Sequence, residues 1–282
     1  MAQPPTFPGE APTATAPPGD RQPRMLIVCG HPRSGTTMLT QLLDSHPDIG
    51  MTYEFHNFLG VGKPWRQHLR LLRKRDRWRL PPIRLRGGHR RWPSRFAGVL
   101  FQLCYAFGIA QLSRDPIDLD GMRRVLHRLF PRARVIGDKY PRYVFSLDRF
   151  SLVPELLIVV IYRDARDVVR SAIEQSKKDW RHTPLGARMA TPAGAAQSWV
   201  RAIHAMDSHR QFVHTIRYED LVSQPGLVVL DLAVYLGVDP GGFRYRFIKP
   251  DRVGKHKQGL TEADLAVVEE VAGVTMRRLG YT

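Results

Sequence analysis

The chain has 282 residues, of which 43% are hydrophobic, with a formal net charge of +17 and a pI of about 10.5. Length and apolar content exclude a wholly disordered chain or a disulfide-held miniprotein, and suit one large α/β domain with room for an insertion. The charge points to an anionic partner: nucleic acid, a membrane surface, or an acidic or phosphorylated ligand.

Residues 1–24 contain seven prolines with many Ala, Thr and Gly. Such a segment buries too little apolar surface to offset its ordering entropy, and it lacks the basic start and apolar stretch of a signal peptide. A disordered tail is expected there, with a single domain over 25–282. The two cysteines, Cys29 and Cys104, both lie in apolar runs. Two buried thiols fit a reducing, cytoplasmic setting. No Cys/His spacing suits a metal, so no metal site is expected.

Met25–Cys29 (MLIVC) reads as a buried strand ending at Gly30, and Thr36–Ser45 carries apolar residues at helical spacing until His46-Pro47 stops it. Arg134–Gly137 is a second short strand, and Leu156–Tyr162 (LLIVVIY) is a third, followed by a helical pattern from Ala165 to about Lys178. Gln211–Arg217 reads as a fourth strand. Pro225–Leu236 reads as a helix closed by Gly237, and Thr261–Leu279 as a last helix with Thr261 and Asp264 at its start. Strands alternating with helices imply a three-layer α/β architecture, a mostly parallel sheet with flanking helices and ligands at the strands' carboxyl ends.

Residues 60–130 interrupt this pattern as a basic and apolar helical insertion. Lys63–Arg95 holds 13 Lys or Arg and one acid, Asp76, with Trp65, Trp78 and Trp92 interspersed. Trp65, Leu69 and Leu72 share a helical face. Three readings compete: an amphipathic helix packed on the core, a cradle for an acidic or glycan acceptor, and a membrane-surface patch. Phe96–Leu112 is 17 residues without a charge. That is the bottom of the spanning range, so a buried core helix is favoured, with peripheral membrane contact through 63–112 as the alternative.

The polar clusters follow the strands. Gly30-His31-Pro32-Arg33-Ser34-Gly35-Thr36-Thr37 has the glycine spacing of a phosphate-binding loop, with Thr36 where that loop carries lysine. Loop amides, a helix N-terminus, the hydroxyls of Thr36 and Thr37, and the charge of Arg33 make an anion site. The missing lysine argues against nucleoside triphosphate hydrolysis. Tyr162 to Ser171 (YRDARDVVRS) places Arg163 at a strand end and Ser171 two helical turns beyond Asp164. The plainer alternative is a solvated helix start, with Asp164 and Asp167 complementing the helix dipole and pairing with arginines.

Together these two segments resemble the sulfotransferases that use 3′-phosphoadenosine 5′-phosphosulfate. Arg33-Ser-Gly-Thr-Thr37 looks like the 5′-phosphosulfate loop, and Arg163 with Ser171 looks like the 3′-phosphate site. The resemblance implies a single α/β domain of the P-loop NTPase-like sulfotransferase fold. It also implies that Lys139, in Gly137-Asp-Lys-Tyr-Pro141, contacts the transferring group. Cytosolic small-molecule sulfotransferases carry a histidine base two residues after that lysine; here the position is Pro141. Around Tyr53-Glu54-Phe55-His56 the chain is similar to tyrosylprotein sulfotransferases and related Golgi and bacterial enzymes, which use a glutamate base. Glu54 is therefore the candidate base, its acidity expected to be weakened by the flanking rings, with His56 a rival and His31 a weaker one. The resemblance further implies Tyr218, in Arg217-Tyr-Glu-Asp-Leu221, packed near the adenine, and a closing loop over Arg252–Lys257 with Lys255 near the 3′-phosphate.

The expected function is sulfuryl transfer from that nucleotide to an acceptor hydroxyl on a carbohydrate, lipid, peptide or metabolite, with no metal and no nucleic-acid partner. A P-loop small-molecule kinase and a non-enzymatic polyanion binder are the alternatives; the first conflicts with the missing lysine, the second with the ordered clusters.

Overall fold

The computed structural model describes residues 22–281 except 56, 71–94, 114, 129 and 250–251, without the side chains of 57 and 95–102. The 1–21 segment, His56, Leu72, Trp78 and Trp92 lie outside the described residues.

Five strands form one parallel sheet: β1 Arg24–Cys29, β2 Ile49–Tyr53, β3 Val135–Lys139, β4 Leu156–Tyr162 and β5 His214–Arg217, in the order β2-β3-β1-β4-β5. The principal helices are α1 Thr36–Leu43, α2 Arg95–Ala110, α3 Leu119–His127, α4 Ala165–Ser176, α5 Pro192–Ser208, α6 Tyr218–Ser223, α7 Pro225–Leu236 and α8 Glu262–Arg278.

Side chains alternate across a strand, so β1 feeds two cores. Met25, Ile27 and Cys29 pack with Val168 and Ala172 of α4, Trp199 of α5 and Val268 of α8. Leu26 and Val28 face the other way, against Leu39 and Leu42 of α1 and Leu232 of α7. Helices thus cover both faces of the sheet, as expected. At the end of β1, Gly30 has φ 146° and lies so close to β4 that a Cβ would sit 2.1 Å from the Ile161 carbonyl oxygen. Only glycine lets the chain leave the sheet there.

The structure corrects the sequence reading in five places. Strand β2, five residues directly after the His46-Pro47 stop, was not anticipated, and neither was helix α5. Arg24 already belongs to β1, paired with Val135, rather than to the tail. The last strand starts at His214, because Arg210–Phe212 forms a 3-10 turn. Cys29 is buried, and burial raises its thiol pKa, but Cys104 is exposed.

The apolar run of the insertion forms α2, with Tyr105, Ala106 and Ile109 buried and Phe107 partly exposed. Trp65, in a helical turn over 65–70, stacks on Phe107 with 4.7 Å between ring centroids. Among the described residues no helix is long and apolar enough to cross a membrane.

Candidate active site

The loop after β1 is shaped by two residues in the left-handed region, Arg33 at φ 78° and Gly35 at φ 96°. Gly35 stands at the N-terminus of α1, and a Cβ on it would fall 2.5 Å from Cδ2 of Tyr218. The Tyr218 ring therefore rests on the loop itself. Gly35, Thr36 and Thr37 line a cavity of about 470 Å³. The first-turn N–H groups of α1 have no intrahelical acceptor and add partial positive charge there. Ser34 turns inward: it is fully buried, absent from the cavity wall, and its N–H closes the turn by donating to the His31 carbonyl at 3.1 Å.

The opposite wall is built by the end of β4, by α4 and by the segment before α8. Arg163, Ser171, Tyr218 and Lys255 all line the same cavity, with Arg33 between them. Arg33 Nε donates to Ser171 Oγ at 2.9 Å, so the two sequence motifs meet physically. Lys249, Arg252 and Arg170 complete six cationic side chains around the space, against Asp167 and Glu174. Both acids are spent: Asp167 on Arg163 at 2.8 Å and Glu174 on Arg170 at 2.6 Å. Burial lowers the Arg33 pKa, and the charges of Arg252 and Arg163 lower it further. Arg163 stacks over the Tyr218 ring at 4.6 Å, and its buried Nε has no partner among the described residues. Guanidinium groups whose charges oppose one another make a space that favours an anion.

Two positioning residues escaped the sequence reading. Asp167 does more than complement a dipole. Its carboxylate accepts from Arg163, from the N–H groups of Gly254 and His256, and from His256 Nδ1, each between 2.8 and 2.9 Å. Burial would raise its pKa, but the Arg163 charge and the His256 bonds outweigh burial and hold it below the usual carboxylate range. It thereby ties the 252–258 loop to α4. The i, i+4 spacing from Arg163 was the available signal. Trp199 of α5 donates from Nε1 to the Arg163 carbonyl at 2.9 Å and fixes that backbone; Thr191-Pro192, a cap followed by proline, was the signal for its helix.

At the other end of the loop lie Glu54 and Lys139. Strand β2 pairs with β3 so that Tyr53 faces Lys139. The next residue, Glu54, turns at φ 56° and stays bonded through its N–H to the Lys139 carbonyl. The buried Asp138 carboxylate braces this turn by accepting from Thr52 Oγ1 at 2.7 Å, the Phe55 N–H at 3.2 Å and the Tyr143 hydroxyl at 2.6 Å. Lys139, only 2% exposed, places Nζ 2.7 Å from Glu54 Oε1 and 3.3 Å from Thr37 Oγ1. Glu54 is thus linked to the loop through Lys139 and Thr37. The rings of Tyr53 and Phe55 are buried, and the ammonium is the immediate neighbour of the carboxylate. The carboxylate is thus oriented by an ammonium as well as flanked by rings.

His31 is 2% exposed and outside the cavity wall. Its Nδ1 lies 2.7 Å from the Pro32 carbonyl, which only accepts, so Nδ1 carries the proton and Nε2 accepts from the Ser198 hydroxyl at 3.1 Å. Burial pushes its pKa down to about 4, and it is a structural, neutral imidazole.

The model of the sulfotransferase family matches residues 23–240. The fold is similar to the sulfotransferase domain from the curacin biosynthetic pathway, with a TM-score of 0.54 and 16% identity over 93% of this chain and 99% of that one. It is also similar to sulfotransferase STF9 from Mycobacterium avium, with a TM-score of 0.50 and 14% identity over 93% of this chain and 78% of that one. No curated protein matches the sequence. The family match takes in the loop, Glu54, Lys139, the Arg163–Ser171 segment and Tyr218, well over half of the chain, and so this chain belongs to the sulfotransferase family and is a sulfotransferase.

Proposed function

We propose that the protein transfers a sulfuryl group from 3′-phosphoadenosine 5′-phosphosulfate to a hydroxyl of an acceptor. The observation that carries the reading is the single cationic cavity shared by Gly35, Thr36, Thr37, Arg33, Arg163, Ser171, Tyr218 and Lys255. A nucleotide with phosphates at both ends meets cations at both ends of this space. Arg163, Ser171 and Lys255 take the 3′-phosphate, and the Gly35 and Thr36 amides with the Thr37 hydroxyl take the 5′-phosphosulfate. Ser34 contributes through the backbone turn. Arg33, bonded to Ser171, bridges the two ends, and Tyr218 offers its ring to the base.

In the transfer step Glu54 accepts the hydroxyl proton as the acceptor oxygen attacks sulfur in line. The S–O bond to the 5′-phosphate breaks, leaving a sulfate ester and 3′-phosphoadenosine 5′-phosphate. Lys139, between Glu54 and Thr37, stabilises negative charge building on the leaving oxygen. Fixed cations and amides supply this stabilisation without a metal. Calorimetry with 3′-phosphoadenosine 5′-phosphate and with ATP plus magnesium tests the reading. Tight binding of the bisphosphate and weak binding of ATP are expected; preference for ATP, or no bisphosphate binding, overturns it in favour of a kinase or a different donor.

A further inference from the structure

A second cleft lies on the other side of the loop that carries Arg33. Arg33 lines the large cavity, whereas the preceding residue, Pro32, lines a cleft of about 170 Å³. One turn of chain separates the two spaces. Three exposed arginines line the cleft from three elements: Arg142 from the 3-10 turn Pro141–Ser146, Arg188 from the short helix Pro184–Arg188, and Arg201 from α5. Arg142 also comes three residues after Lys139, and the Pro141 carbonyl accepts the Gly30 N–H at 3.2 Å. The turn that carries Arg142 thus follows directly on β3, which ends at Lys139, and is bonded to the start of the Arg33 loop.

Its chemistry is mixed. Phe145 and Leu185 give it an apolar side next to Pro32. Among the described residues no carboxylate pairs with Arg142, Arg188 or Arg201. In the donor cavity Arg163 and Arg170 each pair with a carboxylate, whereas none of these three does among the described residues. Ser198 also lines the cleft, but its hydroxyl proton is given to His31 Nε2, so it has no donor left for an anion. Recognition of a negative group there falls to the arginines, whose like charges are relieved by it. The volume suits one small group and not a second nucleotide.

We propose that this cleft is an acceptor subsite that holds a phosphate, sulfate or carboxylate attached to an apolar moiety, so that the acceptor is an anionic amphiphile. The assignment of the anion to the acceptor rests on the sulfotransferase reading above.

The test is calorimetric titration of phenyl phosphate into protein saturated with 3′-phosphoadenosine 5′-phosphate, which fills the donor cavity. Binding is expected for phenyl phosphate, more weakly for inorganic phosphate, and not for benzyl alcohol. The Arg188→Ala/Arg201→Ala variant should lose at least tenfold in phenyl phosphate affinity while bisphosphate affinity stays within twofold. Arg188→Lys/Arg201→Lys should recover part of the loss, and Ser198→Ala should change nothing. No phenyl phosphate binding, or equal binding by the double alanine variant, overturns the subsite. Equal affinity for inorganic phosphate overturns its amphiphilic character. Failure of the wild type to bind the bisphosphate is the separate failure of the donor reading; the same variant comparison on nucleotide-free protein then decides the cleft.

Discussion

Asp167→Asn probes the logic of the site most sharply. The carboxylate is 2% exposed and takes two donors on each oxygen: Arg163 and Gly254 on Oδ2, and the N–H and Nδ1 of His256 on Oδ1. Asparagine is nearly isosteric but brings an NH₂ in place of one oxygen. Whichever way the amide turns, two donors then face a donor. Removing one partner of a buried ion pair costs about 3–5 kcal/mol, and asparagine keeps half of the acceptor capacity, so the loss is about 2–3 kcal/mol. The loss falls on the 252–258 loop and on Arg163, both of which border the cavity. If it appears in binding, the dissociation constant for 3′-phosphoadenosine 5′-phosphate rises about 30- to 150-fold. Calorimetry measures this, with the stoichiometry and the far-ultraviolet circular dichroism showing that the variant is folded. Thermal unfolding reports any part of the loss carried by global stability. A dissociation constant within threefold of wild type together with an unchanged melting temperature would refute the idea that Asp167 holds the cavity's second wall.

Glu54→Gln should lower kcat by about 10²- to 10⁴-fold while leaving bisphosphate affinity within a few fold, read by steady-state kinetics and calorimetry; full turnover removes Glu54 as base. Gly35→Ala places a Cβ 2.5 Å from the Tyr218 ring at a φ of 96°, so it should lose about 2 kcal/mol of stability and most nucleotide affinity, measured by denaturant unfolding and calorimetry. His31 adds a pH dependence: its folded pKa of about 4 lies below the unfolded 6.5, so the unfolded state binds the extra proton between these values. Stability is unaffected above pH 6.5 and falls by up to about 3 kcal/mol as the pH drops to 4. His31→Gln should flatten that part of the profile relative to wild type; parallel profiles would mean that His31 does not titrate as argued.

The strongly periodic parts of the fold were legible because their residues serve one purpose. MLIVC and LLIVVIY are buried on both faces, so they are apolar throughout and read as strands without reference to anything else. Strand β2 is different. IGMTY is short, contains glycine, and is stabilised through pairing with Val135–Lys139, more than 80 residues away. No local pattern records such a partner. Helix α5 has a cap and a proline at its start and Trp199, Ile203 and Met206 at helical spacing, so it was legible in its second half, while its first turns bury only small residues such as Ala195 and Ala196.

The same distinction decides what was visible of the site. Arg33, Gly35, Thr36 and Thr37, which line the cavity, stood out because a phosphate loop is a local device: consecutive amides and a helix start point at one place, although Ser34 of the same loop turns inward. Arg163 and Ser171 were found for a similar reason, since one strand end and one helix face carry both. The partners that give these residues their geometry are non-local. Asp167 is read locally as a helix-start acid, and its four donors come from Arg163 and from a loop almost 90 residues later. Glu54 and Lys139 were each proposed separately, yet their 2.7 Å contact exists only because β2 and β3 are neighbours in register. That contact changes the chemistry assigned to Glu54. A carboxylate among rings alone would be positioned only by packing, whereas this one is oriented by a buried ammonium in direct contact with it. In the proposed mechanism the base and the electrostatic stabiliser are in direct contact, so replacing either should damage the chemical step through the other.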